Sequence, residues 1–319
     1  MPPNQLLLAN PRGFCAGVER AIDVVNLALE LYERPIYVRK EIVHNSHVID
    51  ELRSKGVVFV DEVDQVPEGA TLIFSAHGIA PQVRAAAAAK NLRIIDGTCP
   101  LVTKVHLEAT RYARAGKTIL LVGHRGHDEV IGTMGEAPEQ MRLVGTVEEA
   151  ETVQVDDPEQ VAVITQTTLS VDDTRSILEV LRRRFPGLES PSSDDICYAT
   201  QNRQNAVKAL ARQADVVFVL GSQNSSNSNR LREVAQMAGG RAYLINHVSE
   251  INPAWIENAR SVAVSAGAST PEHLVQEVVE YFRSRGIDSV QAVEAAREDV
   301  TFALPPELAR DMASQGVSR

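Results

Sequence analysis

A chain of 319 residues is longer than one typical compact domain and has room for two or three. Its 32 basic and 42 acidic residues give a formal charge of −10 and a pI near 5.4, which excludes a generic attraction to nucleic acid or anionic membranes. No basic-then-apolar leader and no long apolar run is present, so the expectation is a soluble cytoplasmic protein with neither nucleic-acid nor membrane partners.

The apolar run 6–9 is expected to form an edge strand, which Pro11-Arg12-Gly13 breaks ahead of Cys15. Val18, Ala21, Ile22, Val25 and Leu29 then recur at helical spacing, predicting a helix over 17–31. A strand at 36–38 leads to His44-Asn45-Ser46-His47, a helix over 46–55, and a strand at 57–60. A further strand at 72–74 is followed by His77, a helix opening at Pro81, and a return strand around Ile94 and Ile95. Strands alternating with helices imply parallel sheets with right-handed crossovers.

Cys99 opens a second segment built like the first. Pro100 suits the first helical position, and Leu101, Val102, Val105, Ala109 and Tyr112 supply an apolar stripe. A thiol at a helix N-terminus sits at the positive end of the helix dipole, which favours the thiolate. The strands 118–122 and 161–165 follow, then a helix over 171–184 opened by Ser170, Asp172 and Asp173. Cys197 begins a third segment, with a helix over 198–213, a polar loop at 222–229, helices over 230–239 and 271–283, and strands at 216–220, 242–245 and 262–265. A last strand is expected at 289–293. The remainder, including residues 302–306, reads as an extended tail, with about the last ten residues loose.

The expected architecture is therefore α/β: three similar lobes with small, mostly parallel sheets, arranged as a pseudo-threefold trefoil. Residues 1–13 form the N-terminal strand. The lobes cover 14–96, 97–194 and 195–284, and 285–319 holds the C-terminal strand and tail.

Polar residues recur at matched offsets after each cysteine. His44, His127 and Ser225 fall 28 or 29 residues on, each just past a strand, and His77, Thr167 and Ser269 form a second set further along. In open α/β sheets ligands lie at the carboxyl ends of strands, where these residues and Asn227 are placed. All donate hydrogen bonds without a fixed charge, and nearby helix starts add N–H groups, so the set suits a small anion such as a diphosphate. Taken singly, each would be an ordinary turn or capping residue. Glu129 can act as an acid beside that site if shielding from water raises its pKa.

An odd number of cysteines builds no complete disulfide framework. The three are either buried small hydrophobes or ligands, and three thiolates suit zinc with an open position or a cubane cluster with one iron lacking a protein ligand. His124, His127, Asp128 and Glu129 could alternatively form a metal patch. Neither a phosphate-cradling G-x-x-x-x-G-K-[ST] nor a dinucleotide G-x-G-x-x-G motif occurs.

Longer motifs carry a resemblance. Asn10-Pro11-Arg12-Gly13-Phe14-Cys15-Ala16-Gly17-Val18, Val43-His44-Asn45, Ser75-Ala76-His77-Gly78, Thr98-Cys99-Pro100-Leu101-Val102 and Thr165-Gln166-Thr167-Thr168-Leu169-Ser170 resemble the 4-hydroxy-3-methylbut-2-enyl diphosphate reductase family. Asp195-Ile196-Cys197-Tyr198-Ala199-Thr200-Gln201-Asn202-Arg203, Asn224-Ser225-Ser226-Asn227-Ser228-Asn229-Arg230 and Ala266-Gly267-Ala268-Ser269 extend the match over nearly the whole chain. The resemblance implies the last step of the methylerythritol phosphate route to isoprenoids, with a [4Fe-4S] cluster held by Cys15, Cys99 and Cys197 and one iron without a protein ligand. It implies an allylic diphosphate held by His44, His77, His127, Thr167, Ser225, Ser226, Asn227 and Ser269. Glu129, aided by Thr167 and His127, stands in the proton path, and reduced ferredoxin or flavodoxin is the electron donor. Asp128 departs from the family, which commonly has proline there. A redox-neutral iron–sulfur hydro-lyase acting on a small anion and a non-catalytic cluster carrier or sensor are the rival readings.

Overall fold

The computed structural model describes residues 3–287 and 289–316. The chain runs β1 (Gln5–Asn10), α1 (Ala16–Leu31), β2 (Ile36–Arg39), α2 (Ser46–Ser54), β3 (Val57–Val60), β4 (Thr71–Phe74), α3 (Pro81–Ala89) and β5 (Arg93–Asp96). It continues with α4 (Pro100–Arg114), β6 (Thr118–Val122), α5 (Asp128–Met134), β7 (Met141–Val144), α6 (Val147–Thr152), β8 (Val161–Thr165) and α7 (Val171–Arg184). Last come α8 (Tyr198–Ala211), β9 (Val216–Leu220), α9 (Ser226–Met237), β10 (Arg241–Ile245), β11 (Ser261–Ala266), α10 (Glu272–Arg283), β12 (Ser289–Glu294) and α11 (Pro306–Gln315). Among the described residues three small sheets form, parallel throughout, as the alternation of elements predicts. Among the described residues no helix is long and apolar enough to cross a membrane.

The chain divides into two compact units. One comprises the residues through Cys15, His44–Val48 and Cys197–Val300. Its sheet has the order β10-β9-β11-β1-β12, so β1 is an interior strand paired on both sides, not the expected edge. The reason lies in its burial. Leu6 and Leu8 enter one core with Phe218, Leu274, Val278 and Phe282, while Leu7 and Ala9 enter another with Val207, Leu210, Leu231 and Val234. A strand that is apolar on both faces needs helices on both, and α10 covers one side while α8 and α9 cover the other.

The second unit comprises Ala16–Val43, Ile49–Ile196 and the residues from Thr301 on. It holds the sheets β3-β2-β4-β5 and β7-β6-β8. Alternate residues of β6 again part to two cores, Ile119 and Leu121 against α4, Leu120 and Val122 against α7. The extended, loose tail expected after residue 302 is instead largely the helix α11, with Leu308 and Met312 buried one turn apart and the Tyr32 hydroxyl donating to Asp311 at 2.7 Å. Pro306 at its first position and left-handed Gly316 at its end are ordinary helix boundaries. The expected looseness of 317–319 lies outside the described residues.

Candidate active site

Each cysteine stands at the start of a helix: Cys15 directly before α1, Cys99 and Cys197 at the N-caps of α4 and α8. None is in a disulfide and all are partly exposed. Two of the loops are built alike. The N–H of Cys99 donates to the Ala76 carbonyl at 3.0 Å and that of Gly97 to Phe74 at 3.0 Å; Cys15 and Gly13 repeat this with Ala268 and Ala266, both at 3.2 Å. Gly97 has to be glycine, because a Cβ there would lie 2.4 Å from the Phe74 carbonyl oxygen. Each rung thus fixes a cysteine beside the peptide that precedes an expected substrate residue, His77 or Ser269. At the third junction Asp195 stands two residues before Cys197, and its carboxylate accepts the Thr165 N–H at 2.9 Å. The Cys197 thiol contacts the Thr200 hydroxyl at 3.2 Å, and that hydroxyl can donate to a thiolate.

In the second unit the His77 and His127 rings meet edge to face, with centroids 5.8 Å apart. His127 caps α5, its Nδ1 accepting the Glu129 N–H at 3.1 Å, so the neutral ring carries its hydrogen on Nε2. Asp128 fills the first helical position, which suits proline and an acidic residue alike, so its departure from the family pattern leaves the helix start in place. Glu129 is 2 % exposed and held on both oxygens by Thr167: Oε1 accepts the backbone N–H at 2.6 Å and Oε2 the hydroxyl at 3.0 Å. Burial pushes its carboxyl up to about 7, against the opposing pull of those two bonds. An acid that titrates at neutrality can both give and take a proton there.

In the first unit Ser225 caps α9, accepting from the N–H of Ser228 at 3.3 Å and from its hydroxyl at 3.0 Å. Ser226 and Asn227 open the helix. Asn227 is 6 % exposed, yet among the described residues neither its Oδ1 nor its Nδ2 has a hydrogen-bond partner. An unsatisfied buried amide costs about 1–3 kcal/mol, a cost that a ligand filling the gap removes. Gly267 lets the helix start press onto the end of β11, since a Cβ there would lie 2.0 Å from the Ser228 hydroxyl oxygen. The Ser269 hydroxyl donates to the His44 carbonyl at 2.9 Å, joining two of the expected substrate residues.

The first unit thus carries Cys15, His44, Cys197, Ser225, Ser226, Asn227 and Ser269, and the second Cys99, His77, His127, Glu129 and Thr167. Sequence reasoning missed several neighbours. Asn45, fully buried, accepts the Val48 N–H through Oδ1 at 3.2 Å, and its Nδ2 has no hydrogen-bond partner among the described residues. Ser46, Ser222 and Asn246 close a ring of bonds of 2.8–3.0 Å that anchors the segment after His44. His106 and Glu136 pair at 2.7 Å on α4 and after α5. Only Asn45 left a local signal, as an Asn just ahead of a helix; the others act across long stretches of chain. As a donor set, three cysteines outside any disulfide, each at a helix start, fit an iron–sulfur cluster.

A family model described as LytB protein matches residues 6–283. The chain is similar to the 4-hydroxy-3-methylbut-2-enyl diphosphate reductase of Acidothermus cellulolyticus, 57 % identical over 317 residues that cover 99 % of this chain and 93 % of the relative. The protein of the same name from Bordetella pertussis is 56 % identical over 309 residues, 97 % of this chain and 95 % of its own length. A solved structure of the E-1-hydroxy-2-methyl-but-2-enyl-4-diphosphate reductase from Plasmodium falciparum superposes with a TM-score of 0.96 at 38 % identity, covering 99 % of this chain and all of that one.

Proposed function

The chain belongs to the LytB protein family, and from that premise we propose that it is the reductase which removes the allylic hydroxyl of (E)-4-hydroxy-3-methylbut-2-enyl diphosphate, the terminal step of the non-mevalonate pathway. The C–O bond breaks, two electrons enter, one proton leaves with the oxygen as water, and a second adds to either end of the allyl fragment. The products are isopentenyl and dimethylallyl diphosphate.

Cys15, Cys99 and Cys197 would hold a [4Fe-4S] cluster with one iron lacking a protein ligand. When bound, that cluster supplies the electrons one at a time and a Lewis acid for the departing hydroxyl. Reduced ferredoxin or flavodoxin in the cytoplasm is the proposed donor. The diphosphate is assigned to His44, His77, His127, Thr167, Ser225, Ser226, Asn227 and Ser269. The His127 ring donating through Nε2, the other two imidazoles, the hydroxyls, an amide and the first turn of α9 together suit an anion. Holding the diphosphate fixes the reacting end of the substrate by orientation alone. Glu129 gives its proton toward the leaving oxygen, and Thr167 steadies the carboxylate that remains.

The observation that carries the reading is Glu129, buried, held on both oxygens and titrating near neutrality. Anaerobic assays with the allylic diphosphate, with and without a chemical reductant, test it. Product formed only with reductant supports the reductase. Conversion without it, to a product that differs from the substrate only by a molecule of water, indicates a hydro-lyase, and failure to bind any allylic diphosphate indicates a carrier or sensor.

A further inference from the structure

Each helix that follows a cysteine carries a cation about one turn in, and that cation grips the backbone just ahead of another cysteine. Arg20, five residues after Cys15, donates to the carbonyls of Gly97 at 3.2 Å and Thr98 at 3.0 Å, the two residues before Cys99. Lys104, five after Cys99, donates to the carbonyls of Ser193 at 2.9 Å and Asp194 at 3.1 Å and pairs with the Asp195 carboxylate at 2.9 Å, all just before Cys197. Arg203, six after Cys197, donates to the carbonyls of Gly13 at 2.8 Å and Phe14 at 3.1 Å, the two residues before Cys15. Followed along the sequence, the links run from 15 to 99, from 99 to 197 and from 197 back to 15.

The cation matches the loop it holds. Where glycine stands two residues before the cysteine, a guanidinium donates to two adjacent carbonyls, from one nitrogen of Arg20 and from two of Arg203. Where Asp195 stands there, an ammonium takes its carboxylate. Arg203 is fully buried, and its fork also reaches the Ala199 carbonyl and Glu298. A buried ion pair is often no more stabilising than an apolar side chain of like volume, so stability alone does not account for such a residue.

We infer that Arg20, Lys104 and Arg203 are positioning residues for the three cysteines as cluster ligands: they fix the loops from which the sulfurs project, and Lys104 also balances the Asp195 carboxylate two residues before Cys197. This rests on the reading of Cys15, Cys99 and Cys197 as cluster ligands. Groups behind metal ligands commonly matter about 10–100-fold in affinity, although they touch no metal.

Lys104 is the least buried of the three, so Lys104→Met is the first variant, with Lys104→Arg as the conservative rescue and Cys99→Ser as the ligand control. Each full-length chain is loaded anaerobically with iron and sulfide. Bound iron, the rate at which a chelator bleaches the visible absorbance, and the midpoint potential are then measured. Lys104→Met is expected to keep its far-ultraviolet circular dichroism, to bleach about tenfold faster or more, and to show a more negative potential, while Lys104→Arg recovers toward the parent. Arg203→Lys, which keeps the charge but loses the fork, is expected to bleach faster with little change in potential. Parental bleaching rates and potential in Lys104→Met, or a parental bleaching rate in Arg203→Lys, overturn the inference. A parent chain that takes up no cluster, or a Cys99→Ser chain that loads like the parent, overturns the underlying ligand assignment instead.

Discussion

Thr167 holds both oxygens of the Glu129 carboxyl, one through its backbone N–H at 2.6 Å and the other through its hydroxyl at 3.0 Å. These bonds favour the charged form, while burial favours the neutral one and prevails, leaving the group at about 7. Thr167 therefore sets the direction of the carboxyl assigned to the proton path and moderates the rise in pKa that burial causes.

Glu129→Gln should fold and load its cluster but lose most of its turnover, about 10²-fold or more for a lost general acid. In the parent the proton-bearing form disappears as pH rises through about 7, so turnover should decline on that alkaline side. The linkage has a defined sign. A carboxyl raised from 4.5 to about 7 favours the fold fully below 4.5 and loses that contribution as pH climbs through 7. Above pH 7 the Gln variant should therefore be the more stable, by about 3 kcal/mol, in denaturant titration. Near-parental turnover would remove Glu129 from the proton path.

Thr167→Val deletes the hydroxyl but keeps the backbone donor. Since that hydroxyl lowers the Glu129 pKa, its loss should move the alkaline limb of the kcat/KM profile to higher pH. An unmoved limb would mean that Glu129 does not govern it.

Asn227→Ala tests the orphaned amide on α9. Removing a buried group that has no partner should leave the melting temperature unchanged or slightly higher, while KM for the diphosphate substrate rises about tenfold with a smaller effect on kcat. A lower melting temperature with unchanged KM would make Asn227 a structural residue.

Much of this was legible locally. The helix starts at Pro100 and Ser170, the strands that flank them and the cysteines at helix N-termini follow from capping chemistry and apolar spacing over a dozen residues. What escaped depends on partners far along the chain. The run Leu6 to Ala9 has no local mark of its interior place between β11 and β12. Arg203 lies 190 residues from the Gly13 carbonyl it binds, and Lys104 lies 91 from Asp195. The helix α11 was missed although Leu308 and Met312 stand one turn apart, because two apolar residues in a polar segment make a weak pattern.

That helix gives a test of its own. Leu308 is fully buried, so Leu308→Ala should cost about 2–4 kcal/mol in denaturant titration. A loose tail would lose almost nothing.

Mössbauer spectroscopy of anaerobically loaded protein, with and without the allylic diphosphate, tests the central claim most directly. About four irons per chain are predicted, one of them changing its signal when substrate is added while the others stay as they were. A protein that takes up no iron–sulfur cluster, or a spectrum that substrate leaves unaltered, would contradict a cluster held by Cys15, Cys99 and Cys197 with one iron open to the substrate.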